Sequence, residues 1–192
     1  MNRFVPAAAA AAAVAALVLT GAGIAGPPRS HDSLRPADRA SAPSAQRVEA
    51  AADLERQTLV AINDLRREHG LRPLRPNPAL AAAAREHSRQ MAEHGFFRHE
   101  SMDGSPFWKR IEAVYPVLEG RSWTVGENLV WAYPSLSAQG SLDLWLKSQP
   151  HRKNLLSPSW REIGLGGVRA LAAPGVYDGL DATILTVDFG AR

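Results

Sequence analysis

Leu54, Thr58, Ile62 and Leu65 recur at i, i+4, i+8 and i+11, with Glu55, Arg56, Asp64 and Arg67 mostly off that line. This spacing predicts one apolar helix face within residues 45–70, and Gly70 is a natural stop. The segment LRPLRPNP leads to a second helix, with Asn77 as N-cap, Pro78 in its first turn and Gly95 as its end. Leu80, Ala84, His87 and Met91 mark its inner face. After the loop FFRHESMDGSP comes a shorter helix, FWKRIEAVY. SWTVGENLVWAY reads as a strand that bends, because Gly126 and Asn128 interrupt its β-favouring residues. Residues 136–149 form a further helical pattern, ending where Pro150 and His151 begin a polar loop. IGLGGVRAL and TILTVDFG read as two closing strands, joined by a Pro/Gly/Asp-rich hairpin near residues 173–181. Helices first and paired strands last predict an α+β fold, with helices covering an antiparallel sheet.

The ends of the pattern bound the domain. Arg3 precedes an Ala/Val/Leu-rich run over residues 5–19, and Gly23-Ile24-Ala25 supplies small residues for cleavage. Residues 1–25 are therefore read as a signal peptide, with an uncleaved membrane anchor as the alternative. Residues 26–45 (GPPRSHDSLRPADRASAPSA) are read as a disordered linker, leaving one domain over 46–192. The expected location is secreted or at the cell envelope, with membrane contact only through an uncleaved signal segment. The chain has no cysteine, so the domain relies on its core without disulfides, and no lipid-anchoring cysteine exists. Its net charge of +3 comes from scattered arginines, with only Lys109, Lys147 and Lys153 as lysines. Without a basic stripe, no nucleic-acid partner is expected.

The chemistry lies in a few polar residues. The chain lacks a Gly-x-Ser-x-Gly elbow and a phosphate-binding glycine loop. His99-Glu100-Ser101-Met102-Asp103 fails as His-Glu-x-x-His, since Asp103 replaces the second histidine and Gly104-Ser105-Pro106 breaks the helix. His69 and His94 precede helix-ending glycines, and His87 reads as a hydrogen-bonded core residue. His99 and His151 follow helix stops in polar loops, where side chains can converge on a cleft. Glu127, in an otherwise apolar strand, needs a partner or a function, because a lone buried charge is costly. Two imidazoles and a carboxylate could hold a divalent metal or serve as acid and base, though spacing alone does not bring them together.

Four stretches, in order, resemble one family. INDLRREHGLRPLRPNPALAAAAREHSRQMA, FFRHESMDGSPFWKR, GENLVWA and WLKSQPHRKNLLSPSWREIGLG are similar to segments of the CAP superfamily. These are the cysteine-rich secretory, antigen 5 and pathogenesis-related proteins and their bacterial SCP-like relatives. The likeness covers residues 54–190 and implies a three-layer α-β-α sandwich with a central antiparallel sheet and a large cleft. It carries His99, His151 and Glu127 into that cleft, as catalytic groups if the protein is an enzyme. No cofactor is required, but some relatives hold zinc or another divalent metal there, for which His99 and His151 are the candidates. Many relatives carry a second glutamate where this chain has Ser148, and proline here moves next to His151, restricting Gln149 to extended geometry. An Asp103–Arg110 ion pair is expected to brace the loop, with Asn128 and Asn154 satisfying backbone groups around the cleft. Glu162 is assigned an ordinary ion pair, and Trp108, Trp145 and Trp160 are assigned to packing. A binding module for a small apolar molecule, a cell-wall fragment or a protein is preferred over a His/Glu-dependent or metal-assisted hydrolase. Two ligands hold a metal weakly, and the fold alone cannot decide function. A structural envelope domain is the third reading.

Overall fold

The structure is a computed structural model that describes residues 47–119 and 122–192. The segments read as signal peptide and linker lie outside the described residues. The elements follow in the order β1 (Val48–Ala50), α1 (Ala52–Glu68), β2 (Arg75–Pro76), α2 (Pro78–His94), α3 (Phe107–Glu112), β3 (Thr124–Ala132), α4 (Ala138–Lys147), α5 (Gln149–Leu155), β4 (Glu162–Ala170) and β5 (Ala182–Ala191). The sheet runs β1-β4-β5-β3 with antiparallel neighbours, and β2 adds a short parallel pairing to β4. No helix among the described residues is long and apolar enough to cross a membrane.

Alternation along the strands gives the sheet two apolar faces. Ile163, Leu165, Leu185, Val187, Phe189 and Val130 face Leu54 and Ile62 of α1, Leu142 and Trp145 of α4 and Leu155 of α5. Leu129, Val168, Ala170, Ala182 and Ile184 pack with Met91 and Ala92 of α2 and with Phe96. This is the three-layer sandwich expected from the sequence. On the second face α2 rests almost directly on the β4 backbone. A methyl group at Gly164 would lie 2.1 Å from the Ala81 nitrogen, and one at Gly166 would lie 2.0 Å from the Arg85 nitrogen. The alternating glycines of IGLGG thus provide the groove into which the alanine-rich helix fits.

Capping follows the sequence closely at α2. Asn77 accepts from the Ala79 and Leu80 amides at 2.9 and 3.2 Å, and Gly95 ends the helix in the left-handed conformation. Three expectations change. Residues 48–50 are a strand beside β4, so helix α1 starts later than the pattern suggested. β3 continues unbroken for nine residues, without the interruption expected at Gly126 and Asn128. Gly126 lies beneath the Trp160 ring, where a methyl group would come within 2.9 Å of the indole, and so serves packing there. The 136–149 helix is two helices: Ser148 is extended, while Gln149 and Pro150 belong to α5. Proline suits a first helical turn, which has no intrahelical acceptor for its missing N–H.

Gly166→Ala is expected to cost about 3 kcal/mol in urea unfolding, the upper end of ordinary overpacking, because its obstacle is backbone rather than a movable side chain. A change within 0.5 kcal/mol would show that α2 does not seat this closely.

Candidate functional site

Glu127 sits in the fourth position of β3, opposite Asp188 of β5 in the antiparallel register. Its side chain is fully buried, which ordinarily costs several kcal/mol for an ion unless it is paired. Two donors satisfy it. His99 Nδ1 donates to Glu127 Oε1 at 2.7 Å, and Arg110 Nη2 donates to Glu127 Oε2. Burial raises the Glu127 carboxyl, but the His99 hydrogen bond and the Arg110 and histidine charges more than offset it, leaving it below the ordinary carboxylate range. The His99 side chain is 27% exposed, so the chain of contacts runs from a buried cation through a buried anion to an imidazole at the surface. With Nδ1 committed to a carboxylate, His99 has no hydrogen-bond partner at Nε2 among the described residues.

The loop that carries His99 is fixed on both sides. Gly95 turns the chain out of α2, and His87 donates from Nε2 to the Arg98 carbonyl at 2.9 Å, one residue before His99. Arg110 also donates to Ser101 Oγ at 2.9 Å, and more weakly to the His99 carbonyl at 3.5 Å. His87 therefore has a definite role behind the site, and burial lowers its pKa to about 4. The expected Asp103–Arg110 ion pair does not form. Asp103 is exposed and accepts from the Ser105 amide at 2.9 Å, closing its own turn, while Arg110 is drawn inward by the stronger demand of the buried Glu127.

Among the described residues β3 is an edge strand, and the outward carbonyls of Glu127 and Leu129 need donors there. Asn154 Nδ2 supplies the first at 3.0 Å and Trp145 Nε1 the second at 2.9 Å. Asn128 donates to the His151 carbonyl at 3.1 Å and accepts from Asn154 at 2.9 Å, and Trp160 donates to the Asn154 carbonyl at 2.9 Å. These bonds hold α5 on β3, so His151 arrives on the first turn of a helix rather than in a loop. His151 is buried, its Nδ1 has no hydrogen-bond partner among the described residues, and its pKa is lowered by burial first and by the His99 charge second. Ser148 is the half-buried junction between α4 and α5, and among the described residues it hydrogen-bonds through its backbone: its amide reaches the Trp145 carbonyl, and its carbonyl accepts from Arg152.

Elsewhere, Trp145 and Trp160 are packed in the core, and Trp108 is half-buried with the Lys109 ammonium 5.9 Å from its ring. Glu162 makes no ion pair among the described residues. It instead accepts from the Tyr115 hydroxyl at 2.6 Å and from Asn77 at 3.2 Å.

The donor set fits a catalytic metal poorly. Both Glu127 oxygens are committed, which leaves two imidazoles where a catalytic zinc keeps three protein ligands. Among the described residues no group of three or more His, Cys, Asp or Glu is placed to hold a metal ion. Asp188 escaped sequence inspection, although it met the criterion that singled out Glu127: a carboxylate within a strand of otherwise apolar and small residues.

A model of the cysteine-rich secretory protein (CAP) family matches residues 59–172. The uncharacterized protein YkwD of Bacillus subtilis is 32% identical over 119 residues, which are 60% of this chain and 43% of YkwD. YlbC, an uncharacterized membrane protein of the same organism, is 30% identical over 112 residues, 58% of this chain and 31% of that protein. The chain thus matches less than half the length of either relative. Among solved structures, an extracellular SCP-domain protein of Bacillus anthracis superposes with a TM-score of 0.57 at 25% identity, covering 73% of this chain and 41% of that one. An outer surface protein of Borrelia burgdorferi gives 0.60 at 22% identity, covering 76% and 98%.

Two predictions follow from the burial of these groups. Glu127→Gln leaves the Arg110 guanidinium without its anion and is expected to cost about 3–5 kcal/mol in urea unfolding at neutral pH; a loss below 1 kcal/mol would contradict the pairing. His87 stays neutral in the fold down to about pH 4, whereas an unfolded imidazole takes a proton near 6.5. The unfolded chain binds the extra proton between those values, so this residue makes stability fall on acidification through that window. Unfolding curves from pH 7 to 4 should therefore show a shallower acid slope in His87→Gln than in the wild type; parallel slopes would refute it.

Proposed function

Because the chain belongs to the cysteine-rich secretory protein family, we propose that it is an exported binding module whose cleft meets its ligand at His99 and His151. The observation that carries this reading is the Arg110–Glu127–His99 chain. It commits a buried cation and a buried anion to one partly exposed imidazole, whose Nε2 has no hydrogen-bond partner among the described residues. With the Nδ1 proton turned towards Glu127, a neutral His99 accepts a hydrogen bond at Nε2. The ligand chemistry that suits it is a hydroxyl or amide N–H, the groups offered by cell-wall glycan and peptide. The extracellular and outer-surface character of structural relatives supports a location outside the cytoplasm. Fold likeness alone carries no ligand.

A hydrolase is the second reading, and the same geometry favours it: a carboxylate that orients an imidazole is the arrangement of a general base. That base would have to work on water. Among the described residues no serine or threonine hydroxyl hydrogen-bonds to His99 or His151 as a nucleophile would. The donor count gives no basis for drawing a step through a metal.

Soluble muropeptides titrated into the purified protein, by calorimetry with mass analysis of the fragments afterwards, separate these readings. Saturable binding that weakens about tenfold in His99→Ala, the loss of one good hydrogen bond, with fragments of unchanged mass, is the expected result. Cleaved fragments would replace the binding module with a hydrolase. Binding indifferent to His99 would move the ligand site elsewhere.

A further inference from the structure

Asp188 is the one carboxyl group behind the site whose role is unassigned. It lies in β5 directly across from Glu127, so the two side chains leave the same face of the sheet as nearest cross-strand neighbours, with Cβ atoms about 5 Å apart. Both are buried, Asp188 completely. On its other side in the sheet Asp188 faces Gly164, which has no side chain, and above it α2 brings Leu80 and Ala81 against that glycine. The donors have gone to Glu127: His99 takes one of its oxygens and Arg110 the other. Among the described residues, neither oxygen of Asp188 receives a hydrogen bond.

Two carboxylates so close and so deeply buried cannot both stay charged, and the one with the cationic partners keeps the charge. We propose that Asp188 is a neutral carboxylic acid in the folded chain and donates its proton to the Glu127 carboxylate, so that the cross-strand pair carries a single negative charge. The Glu127 side chain, directly opposite in the antiparallel register, is the acceptor. Electrostatics agrees with the geometry: burial first, and the Glu127 charge second, hold the Asp188 carboxyl well above its ordinary value, against a smaller pull from Arg110. His87 and His99 face the pair from α2 and the following loop, and both act on Glu127.

The consequence reaches the cleft. One shared negative charge balances the Arg110 guanidinium, so the buried layer behind His99 is neutral as a whole. Asp188 also supplies a third hydrogen bond to Glu127, making it a positioning residue for the His99 imidazole. The inference rests on the sheet register and the donor count and stands whether the cleft binds or hydrolyses.

Infrared difference spectroscopy of the intact chain with carboxyl-labelled aspartate tests it at neutral pH. The expected wild-type spectrum holds one protonated aspartic acid carbonyl band, which is lost in Asp188→Asn and lost or displaced in Glu127→Gln. No protonated band in the wild type, or a band that survives Asp188→Asn, would overturn the protonation. A band unmoved by Glu127→Gln would overturn the pairing. If a variant fails to fold, a second readout uses the wild type alone. The folded chain holds a proton that an unfolded aspartate, with its ordinary value of 3.8, releases. Above about pH 6.5, where His87 no longer contributes, stability should therefore fall as pH rises for as long as the band persists, and level off once alkaline titration has removed it. Stability that rises or stays level between pH 6.5 and the disappearance of the band would count against the assignment. The imidazole nitrogen signals of His99 should keep their wild-type positions in Asp188→Asn, which retains a donor, and shift in Asp188→Leu. A shift in neither would leave Asp188 without a positioning role.

Discussion

A carboxylate with no exposed surface must be paired, and the demands of Glu127 account for much of what surrounds it. Its two oxygens fix Arg110 on α3 and His99 on the loop before it, so a short helix and a polar loop are tied to the middle of an edge strand. Arg110 then has little choice but to turn inward, reaching Ser101 and the His99 carbonyl on the way. The backbone of the same residue makes a second demand. Because β3 has no neighbouring strand on its outer side among the described residues, the Glu127 carbonyl takes Asn154, and through Asn154 and Asn128 the helix α5 is seated with His151 on its first turn. One residue thus joins two parts of the chain through its side chain and its main chain.

The sheet behind it makes that concentration of polar groups affordable in packing terms. Gly164 and Gly166 let α2 settle onto β4 backbone to backbone, so the layer holding Glu127 and Asp188 is sealed from above by helix. Sealing excludes water, which strengthens every pairing inside and makes each missing partner costly. His87 and Ser88 of α2 reach down into this layer, His87 to the Arg98 carbonyl and Ser88 to Thr186 and the Gly166 carbonyl, which keeps helix, strand and loop in one register.

Much of this was legible in the residues themselves. Asn77, Pro78 and Gly95 announced the bounds of α2, because capping chemistry is local and each residue does its work within one turn. Alternation and helical spacing gave helices covering an antiparallel sheet, and the family resemblance gave the three layers. Charge in an apolar strand pointed to Glu127, and the same test would have found Asp188 had it been applied to TILTVDFG. What spacing could not give was the competition among partners. Asp103 and Arg110 look like a pair along the chain, yet a fully buried carboxylate from a distant strand outbids an exposed one. Nor could it show that Pro150 opens a helix rather than ending one, since that depends on Ser148 turning extended to place α5 over β3. His87 read as core and is core, but its nitrogen also holds the loop that delivers His99, a role visible only once the Arg98 carbonyl is in place.

The site depends on His99 being held through Nδ1 by an ionised Glu127, with Nε2 left open to a ligand. Nitrogen-resolved NMR of the histidine rings at neutral pH measures this directly. The structure predicts that the proton of neutral His99 resides on Nδ1, protected by its hydrogen bond to Glu127, with Nε2 unprotonated and responsive to solvent. A His99 ring protonated on Nε2 with a bare Nδ1 would contradict it, because the buried carboxylate would then have lost one of its donors and the imidazole its anchor.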